Sequence, residues 1–246
     1  IRKYIIGNGS NILMSDNGVK GIVIKISGGL NGFECDGRSI TVGAGTLVQP
    51  LIRRLSTLSL SGLEFASGVP AAVGGATVMN MGAFGQDIGD LVEYAEVVNS
   101  SGRVERLSKS DLSFSYRKSN IGNCIIVSVR LRLSYKQKGA IKKKIYEIFE
   151  KRKESQPISI PSAGSVFRNP KDVPAGKLID MAGLKGLRVG GAEISKKHAN
   201  FIINLGDAKE RDIKLLVRKT KSIVKEKFKV NLELELVDSK SLTMLS

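Results

Sequence analysis

Residues 62–90 read "GLEFASGVPAAVGGATVMNMGAFGQDIGD", a run dominated by glycine, alanine and other small residues. Ordinary loops are neither this long nor this apolar. Small residues let main chain approach main chain, so the strip packs closely on itself or on a ligand. A second glycine-bearing stretch, "GNGSN" at 7–11, follows the apolar strand "KYII". Its glycines let backbone N–H groups turn toward one point, and Ser10 and Asn11 add polar atoms. That is the composition of an anion-binding nest, and equally of a plain turn. It is not a Rossmann fingerprint, which needs a third glycine and a following helix. The long strip offers another cradle around Gly74 and Gly75, with tight packing of two elements as the competing reading. Two such segments in one domain point to a dinucleotide more strongly than either alone.

Composition narrows the rest. With 246 residues, 41% of them hydrophobic, the chain can bury a sizeable core in one large domain or two modest ones. No apolar run is long enough to cross a bilayer, so no membrane partner is expected. Cys35 and Cys124 stand far apart, which favours a reducing compartment over a disulfide framework. The one histidine, His198, makes a zinc site or a Ser-His-acid triad improbable, and no metal is expected. The formal charge of +16 draws anions. Its dense clusters, "KKK" (142–144) and "KRK" (151–153), lie beside the helical spacing of Ile141, Ile145, Ile148 and Phe149, and read as that helix's solvated face. With 5% aromatics and no tryptophan, a base-stacking platform has little support, so nucleic acid is not an expected partner.

Along the chain, "KYII", "GIVIKI" and "SITVGAG" read as strands. "LVQPLIRRLSTLSL" sets Leu47, Leu51, Leu55 and Leu58 on one helical face, with Pro50 in the first turn. "VEYAEVVNSSGRVERLS" reads as a hairpin about Ser-Gly. "IIVSVRLRLS" alternates, Ile125, Val127, Val129, Leu131 and Leu133 facing one way, Ser128, Arg130 and Arg132 the other. A boundary follows near 134–139. Then come the Lys-rich helix, a short helix "AGKLIDMAG", and an amphipathic helix over 209–228 carrying Ile213, Leu216, Val217, Val224 and Phe228. "VNLELELV" closes the chain as a strand. Helices and strands mix without β-α-β alternation, which favours α+β.

Three further stretches carry polar chemistry. "SYRKS" puts Arg117 beside Tyr116, by composition a surface arginine. "LELEL" puts Glu233 and Glu235 on one strand face. "PSAGSVFRNP" (161–170) holds Ser165, which its local sequence leaves as a turn residue, a nucleophile or something less common.

Taken in order, "GNGSN", "GLEFASGVPAAVGGATVMNMGAFG", "SYRKS", "SAGSVFRNP", "AGKLID", "AGLKGLRVGGAEIS", "KHANFIIN" and "LELEL" resemble the UDP-N-acetylenolpyruvoylglucosamine reductases, flavoenzymes of peptidoglycan precursor synthesis. The likeness runs from residue 5 to residue 237, and the lack of a tyrosine-bearing insertion fits the shorter type. The resemblance implies a two-lobed FAD-binding domain of the vanillyl-alcohol-oxidase (PCMH) type at 1–134 and an α+β substrate domain at 135–229. It also implies a terminal strand and tail at 230–246, the strand returning to the FAD site. Gly7, Asn8, Gly9, Ser10 and Asn11 match the first FAD loop. Gly68, Val69, Gly74, Gly75, Asn80 and Gly82 match the second. NADPH is the implied hydride donor and a UDP-sugar enolpyruvyl ether the acceptor. Ser165 matches the family's proton donor, Arg117 its charge-holding arginine and Glu235 its late glutamate. Asn169 matches a sugar contact, and Tyr116, Arg168, Lys177 and His198 are further substrate candidates. A monomeric, cytoplasmic enzyme is implied. The family's N-terminal β-α-β portion ahead of "GNGSN" is not in this sequence. Ala71-Ala72 replace Gly-Ser or Gly-Thr, Phe84 replaces a tyrosine and Val237 an arginine. Another FAD oxidoreductase of the same fold, or a non-catalytic basic binding protein on the same scaffold, are the alternatives.

Overall fold

In the computed structural model, which describes residues 1–239 and the backbone of Met244–Leu245, the apolar periodicities of the sequence close around two separate cores. The first unit comprises Ile1–Gly9, Lys20–Lys151 and the strand Met244–Leu245. Its centre is an antiparallel sheet in the order Val104–Ser108, Val92–Val98, Ile125–Arg132, Ser39–Gly43, Phe33–Asp36. Helices α1 (Val48–Thr57) and α2 (Val73–Val78) add Leu51, Leu55, Val73 and Ala76 to a core with Ile40, Val42, Val129 and Leu131. Each such large side chain contributes roughly 1.5–3 kcal/mol on burial. In α1 the predicted face is present, but Leu47 and Leu58 are exposed. They are the two cap residues, so Val48 and Ile52 complete the buried stripe instead. A smaller sheet pairs Lys3–Ile6 in parallel with Ile22–Lys25 and antiparallel with Met244–Leu245.

The expected hairpin forms, Val92–Val98 against Val104–Ser108, with Gly102 at φ +78° in its turn. The alternation predicted for Ile125–Arg132 does not hold throughout. Its register against Val92–Val98 shifts between Ile126 and Ser128, so Ile126 is buried and Val127 only partly so. A β-bulge inserts one residue on one strand and reverses which side chains face the core. The single-turn α3 (Lys109–Leu112) is closed by a Ser108/Asp111 capping box.

The Lys-rich segment is α4 (Lys138–Ser155), with Ile141 and Ile148 buried. The division between units falls inside α4, after Lys151, rather than at 134/135. Ile145 of α4 still packs on the first core, so the compact unit runs past the sequence-level boundary.

The second unit comprises Ser10–Val19 and the chain from Arg152 to residue 239. Its sheet runs Ser162–Ser165, Phe201–Asn204, Ala192–Ile194, Arg188–Val189, all antiparallel. Helices α5 (Ala175–Met181) and α6 (Glu210–Phe228) bury Leu178, Ile179, Leu216 and Val224 with Phe167 and Ile194. "VNLELELV" is not one strand. It holds an isolated bridge, Leu234 to Phe167, and a short pairing of Val237–Asp238 in parallel with Ile12–Leu13. That ladder, with Asp16 Oδ2 accepting the Glu210 N–H at 2.8 Å, is why residues 10–19 and 230–239 belong to this unit. The tail "KSLTMLS" lies outside the described residues except for the backbone of Met244–Leu245. Among the described residues no helix is long and apolar enough to cross a membrane.

Candidate functional site

In the first unit the two glycine-rich segments meet. A Cβ built on Gly7 would stand 3.5 Å from Gly75 Cα and 3.7 Å from Ala72 Cβ. The two main chains therefore face each other with no side chain between them. Gly9, at φ +72° with open space around it, makes the turn that an L side chain resists. Asn8 Nδ2 donates to Pro70 O at 2.7 Å, tying the first loop to the second. Gly74 differs from its neighbour: a Cβ there would lie 2.8 Å from Ala44 Cβ, so this glycine permits packing, whereas Gly75 faces Gly7. Thr46, whose carbonyl accepts the Val73 N–H at 2.9 Å, has a covered hydroxyl with no hydrogen-bond partner.

The loop at 66–69 is held by a residue that sequence reasoning missed. Gln49 of α1 donates through Nε2 to Ala66 O (2.8 Å) and Val69 O (2.9 Å), and its Oε1 accepts the Gly68 N–H (2.9 Å). The only sequence signal is an uncharged polar residue two places into α1, where the apolar stripe draws the eye.

Further along the same unit, Asn80 is buried with both ends of its amide engaged. Nδ2 donates to Ser115 O and Oδ1 accepts the Gly89 N–H, each at 2.9 Å. Arg117 is not the surface residue that composition implies. Its side chain is 16% exposed; Nη1 meets Asp87 Oδ1 at 3.1 Å and Nη2 donates to Gly82 O at 2.6 Å. The residue sits at φ +55° in a tight turn closed by reciprocal Ser115 and Lys118 main-chain bonds. The guanidinium stands 4.8 Å over the half-exposed Tyr116 ring. Gly82 is required here, because a Cβ would run into the Asp87 carboxylate and come within 2.7 Å of Arg117 Nη1.

The second unit brings Ser165 and Glu235 together. Gly164, at φ +73°, forms a bulge: Ser162 pairs with Ile203 but Ser165 with Phe201. On one side the next residues are gripped by Asn200. Its carbonyl accepts the Val166 N–H, its Oδ1 accepts the Phe167 N–H (2.9 Å), and its Nδ2 donates to Phe167 O (2.8 Å). On the other side the Glu235 N–H donates to Val166 O at 2.9 Å and the Arg168 N–H to Glu233 O at 2.9 Å. Ser165 is thus one residue from the carbonyl that anchors Glu235. Glu233 is exposed and Glu235 partly covered. Asn11 of the first loop also belongs here, donating through Nδ2 to Glu235 O at 3.0 Å, while Ser10 is partly buried.

Arg168 Nη1 stands 4.0 Å from Glu233 Oε2, and its covered Nε has no hydrogen-bond partner. Asn169 Oδ1 accepts the Ala175 N–H at 3.1 Å at the start of α5, and Lys177 is exposed. His198 stacks edge-on to Phe201 at 4.8 Å and accepts the Asn200 N–H at Nδ1 (3.2 Å). Burial, with a smaller push from the Lys185 charge, lowers its pKa below 6.5. At neutral pH it is a neutral ring rather than a cation for anionic substrate groups.

Comparison with known proteins finds two families along the chain. Residues 1–108 match the FAD binding domain family and residues 156–237 match the UDP-N-acetylenolpyruvoylglucosamine reductase, C-terminal domain family. An FAD-binding unit in the same chain as an α+β unit defines the class: a flavin-dependent oxidoreductase. The UDP-N-acetylenolpyruvoylglucosamine reductase of Halalkalibacterium halodurans is 45% identical, covering 94% of this chain and 77% of that protein. That of Bacillus subtilis is 41% identical, covering 96% and 80%. The solved UDP-N-acetylenolpyruvylglucosamine reductase from Thermus caldophilus superimposes with a TM-score of 0.87 at 41% identity, over 96% of this chain and 85% of its own. The chain belongs to the UDP-N-acetylenolpyruvoylglucosamine reductase family. The residues present fit FAD: the backbone-lined approach of Gly7 and Gly75 suits a diphosphate that is bound through main-chain donors.

Proposed function

We propose that this chain catalyses the NADPH-dependent reduction of the enolpyruvyl ether of UDP-N-acetylglucosamine to UDP-N-acetylmuramate, in the cytoplasm and as a monomer. NADPH supplies two electrons and one hydrogen nucleus as hydride, and a proton completes the saturated lactyl ether. FAD, when bound, supplies the two-electron hydride chemistry. Gly7, Asn8, Gly9, Gly68, Val69 and Gly75 would hold it in the first unit, with Ser10 and Asn11 continuing the first loop. Asn80 and Gly82 would serve by fixing main chain, since both act on the Arg117 turn.

Hydride addition at the terminal carbon leaves negative charge on the neighbouring carbon and its carboxylate. The Ser165 hydroxyl would deliver the proton to that carbon, a transfer worth ~10²–10⁴ in rate when positioned. Glu235 would assist at the same centre, and Arg117 would stabilise the charge as a fixed cation. Asn169, Arg168, Lys177 and Tyr116 are the proposed contacts for the UDP-sugar. The observation that carries this reading is the Glu235 N–H bonded to the carbonyl of Val166, the residue after Ser165.

The test is a spectrum and two half-reactions. The protein is mixed with FAD, desalted, and its flavin bands recorded. NADPH is then added without oxygen, followed by the enolpyruvyl substrate. Bleaching by NADPH and recovery by substrate are expected. Retained flavin that NADPH bleaches but the substrate does not restore would favour another FAD oxidoreductase. A folded, colourless protein would overturn the flavoenzyme reading of this chain.

A further inference from the structure

We infer that Gln49 is the positioning residue of the flavin site, holding the 66–69 loop in the form that presents Gly68 and Val69 to the cofactor. This rests on the reading that the loop lines that site. The side chain of Gln49 has one acceptor and one two-hydrogen donor facing this loop, and both are used. Oε1 takes the Gly68 N–H at 2.9 Å; Nε2 serves Ala66 O at 2.8 Å and Val69 O at 2.9 Å. The amide orientation is fixed by these partners, because the flipped amide would set oxygen against two carbonyls and nitrogen against an N–H.

The loop needs such a brace. Gly68 stands at φ +84°, a conformation that glycine permits but does not enforce. Local main-chain bonds, Ser67 N–H to Glu64 O and Val69 N–H to Ala66 O, fix the two ends of the turn but leave the Gly68 N–H to Gln49. Just beyond, Pro70 O is taken by Asn8 of the first glycine loop at 2.7 Å. One helix side chain thus sets the geometry of the second loop, and through Pro70 its relation to the first. Gln49 acts on the cofactor only through this main chain, so it is a positioning residue rather than a catalytic one.

The experiment compares Gln49→Leu, Gln49→Glu and Gly68→Ala with the unchanged protein. For each apoprotein, FAD affinity is measured by quenching of flavin fluorescence. The long-wavelength band of the bound flavin is then recorded at saturating FAD. Gln49→Leu loses all three bonds and should weaken FAD by about tenfold or more. The band should shift even at full occupancy, which a loss of overall stability would not produce. Gln49→Glu keeps the acceptor for the Gly68 N–H but turns a carboxylate oxygen on the Ala66 and Val69 carbonyls, so it too should weaken FAD. Gly68→Ala strains the loop directly and should weaken FAD whatever Gln49 does. If Gly68→Ala weakens FAD while both Gln49 variants keep native affinity and spectrum, the role of Gln49 is overturned. If none of the three changes the cofactor, the loop does not line the flavin site and both readings fall. Should Gln49→Leu not fold, Gln49→Glu decides alone.

Discussion

The main-chain N–H of Glu235 donates to the carbonyl of Val166 at 2.9 Å, and the Leu236 N–H shares that oxygen at 3.3 Å. Two residues far apart in sequence are thereby fixed side by side, Glu235 directly and Ser165 as the neighbour of Val166. The fixing is done by main-chain bonds rather than by either side chain. Replacing either side chain should therefore change reactivity more than fold.

For Ser165→Ala, the two half-reactions should separate. Bleaching of the flavin by NADPH should keep its native rate. Recovery on adding the enolpyruvyl substrate should slow by ~10²–10⁴, the usual worth of a positioned proton transfer. Rapid-mixing absorbance traces measure both. Equal rates for native and variant in the second phase would remove Ser165 from the proton-transfer step.

Asn200→Ala should act on the same site through stability. The side chain is buried and bonds both the N–H and the carbonyl of Phe167. Its loss leaves two covered main-chain groups unpaired, at a cost of ~1–3 kcal/mol for each group left without water. Urea titration should show the second unit destabilised by a few kcal/mol at most twice that single-group cost. Asn200→Asp keeps the acceptor but sets a buried carboxylate oxygen against the Phe167 carbonyl, and should destabilise at least as much as Asn200→Ala.

How much of this was readable in advance depended on whether the deciding partner was local. Helices α1 and α6 are visible because burial repeats every three to four residues along one segment. The break in Ile125–Arg132 was not, because a bulge is a mismatch between two strands and leaves the apolar pattern of one strand intact. "LELEL" alternates like a strand yet makes only one bridge, since no neighbouring edge runs beside its whole length. Arg117 reads as a surface residue because its partners Gly82 and Asp87 lie 35 and 30 positions away. Gln49 shows only as a polar residue early in α1, and its role stays hidden because its three partners are main-chain atoms that any sequence would supply. The resemblance implies that Ser165 and Glu235 share a site; the bond that ties the Glu235 main chain to the residue after Ser165 is purely tertiary.

Arg117→Lys should show that the fork matters as well as the charge. A lysine has a single head and cannot reach Asp87 Oδ1 and Gly82 O as the guanidinium does. The apoprotein should lose ~1.5–3 kcal/mol on thermal melting, for a broken hydrogen bond to a charged group. Substrate-dependent turnover should fall further than that loss explains. Gly82→Ala should move both quantities in the same direction, because its methyl enters the space of the Asp87 carboxylate and Arg117 Nη1. Native turnover in Arg117→Lys would separate this network from the reaction.

His198 should give the protein a measurable pH dependence of stability just below neutrality. Burial holds its folded pKa below the 6.5 of the unfolded chain. Between those two values the unfolded chain binds more protons than the folded one, so stability rises with pH there. The contribution of the neutral ring is complete above about 6.5 and is lost as pH falls from that value toward the folded pKa. Protonation of Nδ1 would also end its acceptance of the Asn200 N–H. Because this is the one histidine of the chain, no other imidazole confuses the window. Glu96 and Asp111 have the opposite sign of origin. Their hydrogen bonds, chiefly from Ser128 and Ser108, lower their pKa values beneath 4.5 and 3.8, and their contributions are lost only as pH falls through those lower values. Melting temperatures recorded from about pH 7 down to about pH 5 should therefore decline in the native protein. In His198→Gln the same series should be nearly flat, whatever its absolute stability. An unchanged slope in the variant would show that the ring titrates alike in the folded and unfolded chain.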